Sequence, residues 1–235
     1  MLSQGCMRYD SGGRTTRLKS LVPDAVKKSI VWREYQRFKE KSAVKAWHAA
    51  GKPVPPPHSI KEEIVAAYAK AFGTRTLIET GTYLGDMLAA MRPNFDHLIS
   101  IELSPDLAER ARKRFRKYPS IQIVQGDSGE KLQSVLKGVS QKSLFWLDGH
   151  FSSGFTARGA LGTPIVKELS TVFDHPVKDH VILIDDARMF NGTEDYPTIE
   201  EVKRIVAEVR PDYEFSVRND AIRIHPRREG LSIDV

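Results

Sequence analysis

The chain has 235 residues, of which 40% are hydrophobic, and a formal net charge of +6, so it can bury one sizeable core. It has no apolar run near the roughly 18 residues that a membrane-spanning helix needs. Cys6 is its only cysteine, which excludes an internal disulfide and a Cys-based zinc site. The N-terminus carries no apolar signal core, so we expect a cytoplasmic protein with no membrane partner.

The positive charge is concentrated at the start of the chain. Residues 1–57 hold 12 of the 36 Lys and Arg residues but only 4 of the 30 Asp and Glu residues. Such a basic arm can bind nucleic acid or another acidic partner, and it is also typical of a loose tail with a solvated helix face. No RNA-binding signature accompanies the charge. Nucleic acid is therefore a possible partner but not the favoured one.

A helix is predicted from about residue 23 to residue 50, where Gly51 ends it. The proline-rich run Pro53–Pro57 then forms a stiff, extended connector. The sequence thus predicts two parts: a basic N-terminal arm and helix over residues 1–57, and a larger domain over residues 58–235.

Ser59 and Glu62 have the spacing of a capping box, which predicts the start of a further helix. Its apolar residues recur at helical spacing and predict one buried stripe, made of Ile60, Ile64, Tyr68 and Phe72.

Residues 76–86 read T-L-I-E-T-G-T-Y-L-G-D and are the most informative stretch. The first three predict a short buried strand, Gly81 and Gly85 bracket a tight turn, and apolar residues at helical spacing follow. Strand, glycine turn and helix are typical of the first unit of a nucleotide-binding sheet. Tyr83 stands where a G-x-G-x-x-G dinucleotide motif has its middle glycine, which argues against a dehydrogenase.

Strands and helices alternate through the rest of the chain. Further strands are predicted at His97–Leu103, Ile121–Gln125, Ser143–Leu147 and His180–Ile184, and helices at Pro105–Phe115, Gly129–Gly138, Pro164–Phe173 and Ile199–Val209. Tyr213–Val217 and Ala221–His225 flank R-N-D and predict an antiparallel hairpin. The pattern indicates a doubly wound α/β fold with a mostly parallel seven-stranded sheet, a C-terminal antiparallel hairpin and additional N-terminal helices.

Each of the five predicted parallel strands ends in or precedes an acidic residue: Glu79, Glu102, Asp127, Asp148 and Asp185, with Asp186 beside the last. Ligands of such sheets bind across the carboxyl ends of the strands, so we expect these acids at one rim. Acids also cap helices and favour turns, but an acid at the end of all five strands exceeds what capping requires. Glu102 follows Gly81 by about 20 residues, where a carboxylate can bind the ribose of NAD or of another adenosyl cofactor.

Five short motifs, E-T-G-T-Y-L-G-D, S-I-E-L-S-P-D-L, G-D-S-G-E, W-L-D-G-H-F and L-I-D-D-A, resemble the successive motifs of class I S-adenosylmethionine-dependent methyltransferases. The G-x-Y-x-G form of the first is most similar to the catechol and caffeoyl-coenzyme A O-methyltransferases. The final Asp-Asp pair is similar to the metal-dependent macrolide-sugar O-methyltransferases. The resemblance covers roughly residues 59–226 and implies the Rossmann-like fold of that class.

The resemblance implies a site for S-adenosylmethionine. Its residues would be Glu79, Gly81, Tyr83, Gly85, Asp86, Glu102 and Asp148, with Asp127 and Ser128 beside the adenine. Gly81 and Gly85 would let the methionine part of the cofactor lie against the backbone. Glu79 or Asp86 would lie near its ammonium group, and Glu102 would bind the ribose hydroxyls.

The resemblance also implies a divalent cation such as Mg²⁺, held by Asp148, Asp185 and Asp186. Carboxylate oxygens suit so hard an ion, which would draw an acceptor hydroxyl toward its alkoxide. The catechol-type branch has Asp-Asn after the fifth strand, so Asp186 departs from it. Alternatively, the three acids form an ion-paired rim with basic residues, of which Arg158 and Arg188 are nearest in sequence.

We therefore predict an S-adenosylmethionine-dependent O-methyltransferase that acts on a hydroxyl of a small molecule or sugar with help from a divalent cation. Catalysis is assigned to Asp148 and His150, although His150 is either a general base or a structural histidine of the turn. The alternative is a metal-independent methyltransferase that acts on RNA or another macromolecule through the basic arm. A homo-oligomer stays open.

Overall fold

The computed structural model describes residues 30–149, 163–193 and 195–235. They belong to two units, one that ends at Ala50 and one that spans Gly51–Val235, and each is considered by itself. The described part of the first unit is helix α1 (Ile30–Ala49), which lies inside the range predicted for the N-terminal helix. The division of the chain after residue 57 stays a prediction.

Helices and strands alternate along the second unit, as the sequence predicts. They are α2 (His58–Phe72), β1 (Thr76–Thr80), α3 (Asp86–Met91), β2 (His97–Glu102), α4 (Pro105–Phe115), β3 (Ile121–Gln125), α5 (Ser128–Leu136), β4 (Leu144–Leu147), α6 (Ile165–Asp174), β5 (Val181–Ile184), a 3₁₀ turn (Ala187–Met189), α7 (Ile199–Val209), β6 (Tyr213–Arg218) and β7 (Ala221–Pro226).

The seven strands form one sheet in the order β3-β2-β1-β4-β5-β7-β6. The first five are parallel to one another, and β7 is antiparallel to both β5 and β6. This confirms the predicted fold class. The strand order reverses between β1 and β4, and in such sheets that reversal opens a ligand-binding crevice at the carboxyl ends.

The core lies on both faces of the sheet centre. Every residue of β4 and of β5 is buried, because both are continuous apolar runs of the kind that a parallel sheet covered on two sides requires. The predicted stripe of α2 is buried as well: Ile60, Ile64, Tyr68 and Phe72. None of the described helices combines the length and the hydropathy that crossing a membrane needs.

The predicted capping box at Ser59 and Glu62 is wrong. Helix α2 begins at His58, directly after Pro57, and no side chain caps it. Ser59 therefore lies inside the first turn, where its hydroxyl is buried without a hydrogen-bond partner among the described residues, and Glu62 pairs with His58 instead.

The start of α5 and the end of β1 also differ from the predictions. Asp127 is the N-cap of α5, since its Oδ1 accepts from the Gly129 N–H at 2.8 Å, and Ser128 is the first helical residue. Strand β1 extends two residues further than predicted and includes Glu79 and Thr80. Glu79 is therefore a buried strand residue.

Candidate functional site

The turn after β1 is in close contact with the residue after β4. Gly81 and Gly85 have φ angles of 86° and 76°, and Tyr83 between them has 47°, so three of five turn residues are left-handed. A Cβ atom on Gly81 would lie 2.9 Å from the carbonyl carbon of Asp148. Only glycine permits both this φ angle and this approach.

Glu102, at the end of β2, is fixed to the same turn. Its Oε2 accepts from the Tyr83 N–H at 2.8 Å and its Oε1 from the Ser104 N–H at 2.9 Å, and the residue is 5% exposed. Each carboxylate oxygen has a second lone pair. The side chain can therefore still accept hydrogen bonds from two neighbouring hydroxyls.

Glu79 lies beneath the turn in a chain of hydrogen bonds. The Ser100 hydroxyl donates to Glu79 Oε2 at 2.5 Å, and Thr82 Oγ1 lies 2.6 Å from Ser100 Oγ. Burial raises the pKa of Glu79 to about 8 although the hydrogen bond from Ser100 opposes the shift, and the charges of Glu102 and Asp86 raise it further. Near neutral pH the Glu79 carboxyl therefore holds a proton.

Asp86 points away from this buried chain. It is the first residue of α3, and its Oδ1 lies 2.8 Å from Arg114 Nη1 in an exposed ion pair. Of the two carboxyls implied for the cofactor ammonium, one is therefore buried and protonated and the other is exposed and paired.

Thr80, Ser128 and Gly149 meet at the end of the central strands. A Cβ atom on Gly149 would lie 3.1 Å from both Thr80 Oγ1 and Ser128 Oγ. The Thr80 hydroxyl is buried and has no hydrogen-bond partner among the described residues. Thr80 lies inside the E-T-G-T-Y-L-G-D motif but is not among the site residues predicted from the sequence.

The three predicted metal ligands converge. Asp148, Asp185 and Asp186 each present a ligand oxygen within 4.8 Å of the others. Leu147 of β4 is paired in register with Ile184 of β5, so the residues that follow these two strands are neighbours. We call Asp148, Asp185 and Asp186 the acid cluster.

Lys61, which is not among the predicted site residues, forms ion pairs with the acid cluster. Lys61 Nζ lies 2.5 Å from Asp185 Oδ2 and 3.2 Å from Asp186 Oδ1, and its side chain is 15% exposed. Lys61 precedes the buried Val65 and Tyr68 by four and seven residues, so it continues a row of inward-facing positions on α2. The sequence signal for this contact is a lysine in a row of otherwise buried positions on the helix.

Arg188 also binds the acid cluster. Its Nη1 donates to Asp186 Oδ1 at 2.8 Å and also to Asp220 in the β6–β7 turn, while its backbone N–H donates to Asp220 Oδ1 at 2.9 Å. Asp186 Oδ1 therefore accepts from two cationic groups. The pairing expected for Arg188 is present, and Arg158 lies outside the described residues.

Burial and the neighbouring charges shift the pKa values of the groups in the acid cluster. Burial raises the pKa of Asp185 to about 6 even though Lys61 opposes the shift, and burial together with the charge of Asp185 raises the pKa of Asp148 well above its usual value. Burial alone would lower the pKa of Lys61, but the three acids outweigh it and raise that pKa. Burial thus opposes the ionisation of the Asp148 and Asp185 carboxyls, while the acids favour the charged form of Lys61.

His150 and the glycine-rich insert over residues 151–162 lie outside the described residues, so the role of His150 stays a prediction. Most of the predicted site residues that the structure describes form two adjacent groups. One is the turn with Glu79, Gly81, Tyr83, Gly85 and Glu102, and the other is the acid cluster with Lys61 and Arg188. Asp148 belongs to both.

No protein-family model and no curated protein sequence matches the chain. Solved structures do resemble it. An O-methyltransferase from Bacillus cereus bound to SAH has a TM-score of 0.55 at 13% identity, covering 91% of this chain and 96% of that one. The O-methyltransferase TomG from Streptomyces achromogenes, involved in tomaymycin synthesis and bound to SAM, has a TM-score of 0.54 at 14% identity, with 90% and 94% covered.

The SAH-bound methyltransferase PaMTH1 from Podospora anserina has a TM-score of 0.51 at 15% identity, covering 96% of this chain and 100% of that chain. At these identities the likeness shows the fold. The chain has the fold of class I methyltransferases, as its motifs indicate.

Proposed function

We propose that the chain is an S-adenosylmethionine-dependent O-methyltransferase that acts on a hydroxyl of a small molecule or sugar with help from a divalent cation. The observation that carries the proposal is the double role of Asp148. Its backbone carbonyl touches Gly81 in the glycine turn, and its carboxylate belongs to the acid cluster. A methyl donor on the turn and an acceptor oxygen at the cluster would thus be neighbours, and catalysis by proximity requires that arrangement.

The residues around the turn would hold the cofactor, whose sulfonium supplies a methyl group with a good leaving group already attached. The bare backbone at Gly81 leaves room for its methionine part. Glu102 would accept hydrogen bonds from the two ribose hydroxyls through the remaining lone pairs of its carboxylate. Asp127 and Ser128 would border the adenine at the start of α5.

The donor chemistry of the acid cluster suits a divalent cation. Three carboxylate oxygens lie within 4.8 Å of one another, and carboxylates are the ligands that Mg²⁺ prefers. A bound cation would also offset the cost of ionising Asp148 and Asp185, whose pKa values burial raises. A cation bound there would lower the pKa of an acceptor hydroxyl. Asp148 and Asp185 would hold it, and Asp186, already bonded to two cationic groups, would contribute least.

The alternative is a metal-independent methyltransferase. The observation that favours it is the position of Lys61, whose ammonium already bonds two of the three acids. An RNA or other macromolecular acceptor bound through residues 1–57 belongs to this alternative.

Two measurements test the proposal. In isothermal titration, S-adenosylhomocysteine should bind and NAD should not; heat from NAD alone would reject the function. Methyl transfer from radiolabelled S-adenosylmethionine should then be assayed on catechols, glycosides and RNA, each with Mg²⁺ and with a chelator. Transfer to small hydroxyl compounds that needs the ion supports the proposal, and transfer to RNA in chelator supports the alternative.

A further inference from the structure

The acid cluster contains a cation that belongs to the chain itself. Both described hydrogen bonds of Lys61 go to cluster acids, at 2.5 Å to Asp185 and 3.2 Å to Asp186. The lysine comes from α2, which precedes the whole sheet in sequence, so it is not part of the strand-end pattern that supplies the acids.

We propose that Lys61 is the resident counter-ion of the acid cluster and that a divalent cation binding to Asp148, Asp185 and Asp186 displaces its ammonium group. The proposal rests on the divalent cation of the proposed function and names the residue that sets the affinity for that ion. Nothing in the strand-end motifs assigns such a role to a residue of α2.

Space and charge at Asp185 Oδ2 oppose simultaneous binding of Lys61 and a divalent ion. A bound Mg²⁺ or Mn²⁺ lies about 2.1 Å from its oxygen ligands, and Lys61 Nζ lies 2.5 Å from Asp185 Oδ2. Two cations that shared this oxygen would be less than about 5 Å apart and would repel strongly in a buried setting. By linkage, each therefore weakens the binding of the other.

Lys61 can leave the acid cluster, whereas Arg188 stays. Lysine has a flexible stem of four carbons, and its side chain here keeps 15% of its surface exposed. Arg188 is also bonded to Asp220 through its guanidinium and its backbone N–H. Loss of its contact with Asp186 would leave those bonds in place, so Arg188 has no need to move when an ion binds.

Lys61 also stabilises the acid cluster when no ion is bound. Asp185 and Asp186 are buried and Asp148 is half-buried, so these three carboxylates with no cation among them would repel one another and destabilise the fold. The ammonium of Lys61 reduces that repulsion, so the ion-free protein keeps the acids together. Lys61 thereby keeps the three acids together in the ion-free protein, but it lowers the affinity of the acid cluster for the ion.

The experiment measures Mn²⁺ binding to the purified full chain by isothermal titration, without cofactor, for wild type, K61M, K61R and K70M. Methionine keeps the apolar stem and removes the charge, and arginine keeps the charge. Lys70 is an exposed lysine of the same helix and is the matched control. We expect K61M to bind Mn²⁺ about tenfold more tightly than wild type, with K70M unchanged and K61R no tighter than wild type.

Two further readouts do not depend on activity. The melting temperature of ion-free K61M should lie below that of wild type, and saturating Mn²⁺ should raise it by a larger increment than in wild type. In wild-type protein alone, labelling with an amine-reactive reagent followed by mass spectrometry should find Lys61 protected without Mn²⁺ and labelled with it. This last measurement holds even where a variant does not fold.

The outcomes separate this inference from the proposed function. Equal or weaker Mn²⁺ binding by K61M, or labelling of Lys61 that Mn²⁺ does not change, would overturn the displacement. Absence of Mn²⁺ binding in all four proteins would overturn it too, while heat from S-adenosylhomocysteine would leave methyl transfer standing. Tighter Mn²⁺ binding by K61M without any cofactor binding would support Lys61 as counter-ion and reject the methyltransferase.

Discussion

Gly81 and Asp148 approach each other so closely that no side chain fits between them. A Cβ atom on Gly81 would lie 2.9 Å from the Asp148 carbonyl carbon, and the φ angle of Gly81 is 86°. Because Asp148 also belongs to the acid cluster, this one backbone contact determines how far the glycine turn lies from the three carboxylates.

The first prediction is that Gly81→Ala damages both stability and cofactor binding. The variant must relieve a backbone clash and a left-handed φ angle, which should cost roughly 2 kcal/mol or more of unfolding free energy. The control is Gly138→Ala, because Gly138 is exposed and its added Cβ would have only an ordinary contact of 3.7 Å. Urea denaturation compares the two, and equal stability of both variants would contradict the tight approach.

Glu102→Ala should weaken S-adenosylhomocysteine binding by roughly 1–3 kcal/mol, since the ribose hydroxyls would lose charged acceptors. Isothermal titration measures the change. The substitution also frees the Tyr83 and Ser104 N–H groups, so the melting temperature is followed in parallel. Asp106→Ala, at an exposed acid in the first turn of α4, is the control, and a similar loss of affinity in both variants would remove Glu102 from the ribose site.

Substitution of the two adjacent acids should have unequal effects. Asp185→Asn should lose divalent-ion binding and methyl transfer, because it removes the charge from the most buried ligand of the cluster. Asp186→Asn should keep most of both, because an amide oxygen still accepts from Arg188 and can still serve as an oxygen ligand. Activity with Mg²⁺ and after chelator treatment distinguishes them. Activity that is indifferent to chelator in wild type would instead favour the ion-paired rim.

Glu79→Gln should stabilise the protein increasingly as the pH rises. The pKa of Glu79 is raised to about 8 in the folded state, against roughly 4.3 in an unfolded chain. At a pH below the unfolded-state pKa, Glu79 therefore does not lower the free energy of unfolding. Above that pH it lowers this free energy by roughly 1.4 kcal/mol per pH unit, until the pH passes about 8. Denaturation at pH 5, 7 and 8.5 should find the advantage of the variant growing with pH, while Glu63→Gln, at an exposed position, should show no such trend.

A buried histidine pair predicts the opposite dependence on pH. The Ser143 N–H donates to His180 Nδ1 at 3.1 Å, so His180 Nε2 carries the proton that it shares with His175 Nδ1 at 2.9 Å, and His175 Nε2 donates to the Leu136 carbonyl at 3.1 Å. Both rings are then neutral and fully bonded. A proton added to His180 Nδ1 would point at the Ser143 N–H and abolish the hydrogen bond between them.

Burial is the largest cause that lowers the pKa of His180 to about 4, and the neighbouring His175 adds to the shift. An unfolded histidine titrates near 6.5, so this stabilisation is present above about pH 6.5 and is lost as the pH falls toward about 4, by roughly 3 kcal/mol in all. His180→Gln should flatten that part of the pH profile. An unchanged slope between pH 4 and 6.5 in the variant would assign the acid sensitivity to other groups.

Much of the fold can be predicted from the sequence because its local signals agree with the tertiary structure. The bounds predicted for β3, α4 and α7 match those observed, since Ser104 and Thr198 cap their helices locally. The acids at the strand ends could be placed at one rim because parallel strands align their carboxyl ends. Ser59 shows where local reasoning fails: its spacing to Glu62 is correct, but the chain enters α2 directly from Pro57.

The sequence by itself therefore determined the sheet, the glycine turn and the set of strand-end acids, because these depend on residue periodicity and on short-range backbone chemistry. Only the tertiary structure decided what surrounds those acids. Lys61 meets Asp185 across 124 positions of sequence, and Arg188 joins Asp186 to Asp220 of the hairpin turn. Such contacts depend on how α2 and the hairpin pack on the sheet, and the protonation of Glu79 depends on burial that the packed sheet creates.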